Sequence, residues 1–148
     1  MIRDGKRLPD DVLESIPVII EIVSGIEYVE ALYSFGSITR NELHPLSDLD
    51  FGILLSEKLN RESRIKKHLD LIHKFNDAFK TDEIDLILMN NSPARFNYNI
   101  IKTGKLLFVR DKSILANFRE HIIKEYLDFK YFRDDFDSGF LKGIGYNG

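Results

Sequence analysis

The segment GSITRNELHPLSDLDFGILL, residues 36–55, holds the pattern from which the rest of the chain is read. It opens on Gly36 and Ser37, continues for ten residues, and then reaches Asp48-Leu49-Asp50 at the head of an apolar run ending near Ser56. That run, bounded by Ser47 and Glu57, predicts a strand. Side chains two apart on a strand share a face, so Asp48 and Asp50 are expected to project together while Leu49 and Phe51 point the other way. Two carboxylates so placed repel each other and lose hydration, which raises their pKa values or costs several kcal/mol if nothing compensates. A divalent cation relieves both penalties at once.

Upstream, EYVEALYSF at 27–35 predicts a strand that runs directly into Gly36-Ser37 and a short polar segment suited to opening a helix. Gly36 permits close backbone approach there, and Ser37 adds a hydroxyl donor where backbone N–H groups are free at a helix start. Such a place suits a triphosphate, and Arg40, about one helical turn further on, adds a cation to the same phosphates. Before this strand, residues 10–24 (DDVLESIPVIIEIVS) predict a helix ended by Gly25 and kinked or split by Pro17.

Downstream, Asn60 caps a long amphipathic helix reaching about Lys80, with Ile65, Leu69, Ile72, Phe75 and Phe79 on one apolar stripe. Arg61, Arg64, Lys66 and Lys67 lie mostly off the stripe and read as a solvated face. Residues 83–89 (EIDLILM) predict a third strand. If it lies beside the Asp50 strand, Asp85 supplies a third carboxylate, with Glu83 on the same face as the weaker candidate. Three oxygen ligands on adjacent strands suit Mg²⁺, whose coordination is commonly completed by substrate phosphates. Two such ions activate an attacking hydroxyl and stabilise the leaving oxygen of an in-line displacement. Asn90-Asn91-Ser92-Pro93 is a turn and helix start, Gly104 ends that helix, LLFVR at 106–110 predicts a short strand, and Asp111 begins a final helix. Its apolar positions are Leu115, Phe118, Ile122 and Tyr126. Alternation of this kind predicts an α/β or α+β fold with a mixed central sheet of about four strands flanked by helices.

One domain is expected over residues 1–148, with a catalytic core at about 28–110 and a C-terminal helix and tail at 111–148. Absence of cysteine removes disulfides and thiolate metal sites, while 24 acidic residues make hard cations plausible. A net charge of −3 gives no general attraction for a nucleic-acid backbone, so direct nucleic-acid binding is not expected. No apolar run approaches membrane-spanning length and the first residues lack a signal-peptide pattern, which predicts a cytoplasmic protein without a membrane partner.

Other features have ordinary readings. His44, His68, His73 and His121 are scattered and form no zinc set; the two in the long helix are expected at solvated positions. Lys102-Thr103-Gly104-Lys105 reads as a helix C-terminus and not a phosphate loop. The tail carries Phe129, Tyr131, Phe132, Phe136 and Phe140, a density that suits core cover or an oligomer contact, and glycines at 139, 143, 145 and 148 predict fraying at the end.

Gly-Ser, ten residues, Asp-x-Asp and a third acid in a later strand resemble the signature of the DNA polymerase β-like nucleotidyltransferase superfamily. Within it, GSITRNELHPLSDLDFGILL, DEIDLILMNNSP and EYLDFKYF look most like the minimal nucleotidyltransferases, the MntA-type antitoxins of HEPN-domain ribonuclease toxins. The resemblance implies that Gly36 and Ser37 bind nucleotide phosphates, that Asp48 and Asp50 hold Mg²⁺, and that Asp85 is the third ligand or the base. Arg40 matches an arginine commonly found after the Gly-Ser, and Asn41 stands where many relatives carry glycine. It further implies transfer of AMP from ATP to a tyrosine of a HEPN-domain toxin, release of pyrophosphate, and a hetero-oligomer with that partner. Transfer to a small-molecule hydroxyl and neutralisation of a toxin by binding alone are the alternatives.

Overall fold

A computed structural model describes the backbone of residues 12–36 and 49–143 and the side chains of residues 13–36 and 49–130. Ser37, Arg40, His44, Asp48 and the short helix expected after Gly36 lie outside the described residues.

Pro17 divides the first helical stretch as its chemistry requires. A 3-10 turn spans Val12–Ser15, and helix α1 (Ile16–Ser24) carries the proline in its first turn, where no N–H donor is needed. The N–H of Gly25 closes α1 on the carbonyls of Glu21 and Ile22. Strand β1 (Val29–Phe35) begins two residues later than the sequence predicts, because Tyr28 is in the turn that Val29 N–H closes on Ile26 O at 3.0 Å. It pairs antiparallel with β2 (Leu49–Leu55), with a bulge at Glu30. The extra residue explains why Val29 and Leu32, three apart, enter the same core.

Helix α2 (Arg61–Phe79) starts at Asn60, whose side-chain oxygen accepts from Ser63 N–H at 2.8 Å, and ends on Lys80 in the left-handed region with φ 56°. The buried stripe differs from the expected one. Leu71, Phe75 and Phe79 are buried and Ile72 is half-buried, whereas Ile65 and Leu69 are 44% and 55% exposed. The helix is rotated so that its first turns present Arg64 and His68 inward, at 64-68-71-75-79. His68 is therefore not a solvated position: its Nε2 lies 2.6 Å from the carbonyl oxygen of Leu86, within hydrogen-bond reach. His73 is exposed as expected, and Lys66 pairs with Glu62 in solvent.

Strand β3 (Ile84–Leu88) runs parallel to β2 and leads into a 3-10 turn at Met89–Asn91. Pro93 then caps helix α3 (Ala94–Thr103). Gly104 hands α3 directly to β4 (Lys105–Val109), and a Cβ there would come within 2.9 Å of Ser34 O and 2.5 Å of Ile100 O. Helix α4 (Lys112–Gly143) begins on Asp111, which accepts from the N–H groups of Ser113 and Ile114. Its helical backbone continues through Gly139 to Gly143, the first two of the glycines that predict fraying, while those at 145 and 148 lie outside the described residues.

The sheet is mixed, in the order β3-β2-β1-β4, with β4 antiparallel to β1. Burial on both faces accounts for the continuous apolar run of β2. One face carries Leu49, Phe51, Ile53 and Leu86 against α1 and α2, where Phe51 packs 5.4 Å from the rings of both Phe75 and Phe79. Each such ring contributes about 1.5–3 kcal/mol of hydrophobic stabilisation. The other face holds Ala31, Tyr33 and Leu54 under Met89, Ile100 and Leu115. The hydroxyl of buried Tyr33 accepts from Arg119 Nε of α4 at 2.8 Å, while burial holds its pKa above the usual phenol value. Arg110 fastens the far end: its guanidinium donates to the carbonyls of Val23, Ser24, Ile26 and Val29, joining β4 to the turn between α1 and β1. Among the described residues no helix is long and apolar enough to cross a membrane.

Candidate active site

Asp50 is the second residue of β2 and Asp85 the second residue of β3, and the parallel register sets them side by side. Their sequence neighbours Leu49, Phe51 and Leu86 are buried in the α1–α2 core, so alternation turns both acids to the opposite face. On that face α3 and α4 cover Tyr33 and Leu54, and neither acid is among the residues of that cluster. Asp50 is accordingly half-buried and Asp85 exposed.

The third wall is the end of β1. Phe35, its last residue, is the register partner of Asp50, and Gly36 follows with φ +73°, a conformation L side chains rarely adopt. The Asp50 carboxylate lies so close over Gly36 that a Cβ at residue 36 would collide with Oδ2. Glycine is thus favoured by its backbone angle, and the Cβ it lacks leaves the room in which the Asp50 carboxylate packs. The spacing in sequence expresses this contact: a strand must end in glycine and the returning strand must bring its acid back onto it.

Glu83, the alternative third acid, lies one residue before β3, where its backbone carbonyl accepts from Leu49 N–H at 3.2 Å. The acid brought level with Asp50 is Asp85. Among the described residues no group of three potential ligands is assembled; the acids gather as the pair Asp50 and Asp85. Neighbouring strands are ~4.8 Å apart, so two carboxylates at one register position are within reach of a shared ion. Oxygen donors of this kind fit a hard divalent cation such as Mg²⁺.

One neighbour of the site carries no signal in the sequence. Phe96, in the first turn of α3, stands edge-to-face with Phe35 at 6.1 Å between ring centroids and 87° between planes. Nothing in the local pattern around residue 96 distinguishes it from an ordinary apolar helix position, because its partner lies in another element. His68 is in α2, which covers the sheet face opposite the acids.

A family model described as polymerase beta, nucleotidyltransferase matches residues 18–113, a span containing the whole Gly36–Asp85 arrangement. No curated protein matches. Among solved structures, a toxin-antitoxin crystal structure with AMP-PNP contains a chain 20% identical to this one, with a TM-score of 0.64 over 86% of this chain and 98% of that one. A chain in the structure of a tri-AMPylated Shewanella oneidensis HEPN toxin in complex with MNT antitoxin is 19% identical, with a TM-score of 0.61 over 88% of this chain and 98% of that one. A chain of the toxin-antitoxin MntA-HepT is likewise 19% identical, with a TM-score of 0.60 over 87% and 97%. These likenesses show a shared fold over nearly the whole of each matched chain.

Proposed function

The chain belongs to the polymerase beta nucleotidyltransferase family, and from that premise we propose that it transfers AMP from ATP to a tyrosine of a HEPN-domain toxin and so acts as an enzymatic antitoxin in the cytoplasm. The observation that carries the reading is the side-by-side register of Asp50 and Asp85 beside a positive-φ Gly36. The choice of acceptor is supported by the complexes in which the similar folds occur, one of them holding a tri-AMPylated toxin.

In the proposed reaction the tyrosine oxygen forms a bond to the α-phosphorus of ATP, the bond from that phosphorus to the bridging oxygen breaks, and pyrophosphate departs. Gly36, Ser37 and Arg40 are assigned to the phosphates from their sequence positions. Asp50 and Asp85, with Asp48 assigned from the Asp-x-Asp spacing, would hold two Mg²⁺ ions, which when bound supply charge neutralisation for the phosphates. The tyrosine proton passes to a carboxylate, and Asp85 is the more exposed of the described pair and the better placed to meet an incoming hydroxyl.

The test is incubation with Mg²⁺, a HEPN toxin and ATP labelled at the α-phosphate. Label on a toxin tyrosine together with free pyrophosphate is expected, and Asp50→Asn should abolish both. A toxin that is neutralised yet unlabelled would establish inhibition by binding alone.

A further inference from the structure

We infer that Phe96 is the platform on which the base of the bound nucleotide stacks, an inference that rests on the nucleotide-site reading above. Phe96 is 41% exposed although it is a large apolar side chain. Exposure alone is ordinary for an apolar residue on a protein surface, and Leu13, Val18 and Ile114 share it. Phe96 differs in where it stands. Its ring meets Phe35 at 87°, and Phe35 is both the register partner of Asp50 and the residue that precedes Gly36. An aromatic ring fixed in tilt by a second ring therefore borders the place assigned to the phosphates.

The perpendicular contact with Phe35 accompanies substantial exposure of the residue as a whole. A ring already held in one orientation loses little rotational freedom when a flat ligand settles on it. With the phosphates beside Gly36 and the acids, the nucleoside end of the ligand has this aromatic corner beside it. Stacking on a phenyl face is tolerant of base identity, because every base has a π-face. Phe96 thus supplies affinity for the nucleoside half of the substrate and little discrimination between adenine and guanine.

The experiment is calorimetric titration of the full chain with AMP-PNP, with GMP-PNP and with inorganic tripolyphosphate, each in the presence of Mg²⁺. Phe96→Ala should weaken AMP-PNP and GMP-PNP by about tenfold each, leave tripolyphosphate within about twofold as the control for an intact phosphate site, and be rescued by Phe96→Tyr. The inference is overturned if Phe96→Ala leaves AMP-PNP affinity unchanged, or if tripolyphosphate weakens by the same factor. Failure of the wild-type chain to bind either AMP-PNP or tripolyphosphate sinks the nucleotide-site reading and this inference with it. Binding of both with an indifferent Phe96→Ala sinks this inference alone.

Discussion

Replacing Gly36 by alanine tests how β1 and β2 meet. Residue 36 has φ +73°, and an alanine held there costs about 1–2 kcal/mol from backbone strain alone. The new Cβ would also displace Asp50 Oδ2, the end of a half-buried side chain that can turn aside, which adds about 0.5–1.5 kcal/mol. Gly36→Ala should therefore lower folding stability by about 1.5–3.5 kcal/mol. In an Asp50→Ala background the collision disappears, since the Asp50 Cβ is 3.6 Å from where the new methyl would sit, an ordinary contact. Only the backbone strain then remains, so the cost of Gly36→Ala should fall to about 1–2 kcal/mol, a coupling of about 0.5–1.5 kcal/mol between the two positions. Urea unfolding of the four proteins with EDTA present measures this without any contribution from a bound ion. Equal cost in both backgrounds would refute the contact between Gly36 and the carboxylate, and no cost in either would refute the backbone angle.

Three further outcomes are expected. Arg110→Ala removes charged donors from four carbonyls and should cost about 2–3 kcal/mol in the same unfolding assay, with Arg110→Lys recovering part of it. Leu71→Ala should cost about 2–5 kcal/mol, whereas Ile65→Glu and Leu69→Glu should each stay within about 0.5 kcal/mol; the reverse order would restore the unrotated stripe of α2. Asp111 caps α4, and its bonds from Ser113 hold its pKa below the ordinary 3.8. A folded-state pKa lowered in this way gives stability that is fully present above the unfolded value and lost as pH falls through the folded one. The stability gap between wild type and Asp111→Ala should therefore be constant from neutral pH to the upper edge of the carboxylate range and close only below 3.8, followed by circular dichroism.

The site is legible in the sequence because its chemistry conflicts with its surroundings. Asp50 and Asp85 are acids in otherwise apolar strands, and Gly36 ends a strand that has no other reason to stop. Parallel pairing of β2 with β3, which turns two separate acids into neighbours, is not written in either strand; it follows from the crossover through α2. The same limit explains α2 itself. Ile65 and Leu69 fit a helical stripe as well as Leu71 does, and only the position of the sheet under the helix decides which are covered. Phe96 is hidden for a related reason, since its contact with Phe35 spans elements 61 residues apart. The Glu30 bulge likewise leaves no mark in a pattern of alternating side chains.

The central claim is that the acid beside Asp50 is Asp85, and pyrophosphate release from ATP in the presence of a HEPN toxin tests it most directly. Asp85→Asn should lower the rate by roughly two orders of magnitude or more, the scale on which even residues one shell further out affect a metal site, while Glu83→Gln should stay within about threefold of wild type. A rate that survives Asp85→Asn and collapses in Glu83→Gln would contradict the account.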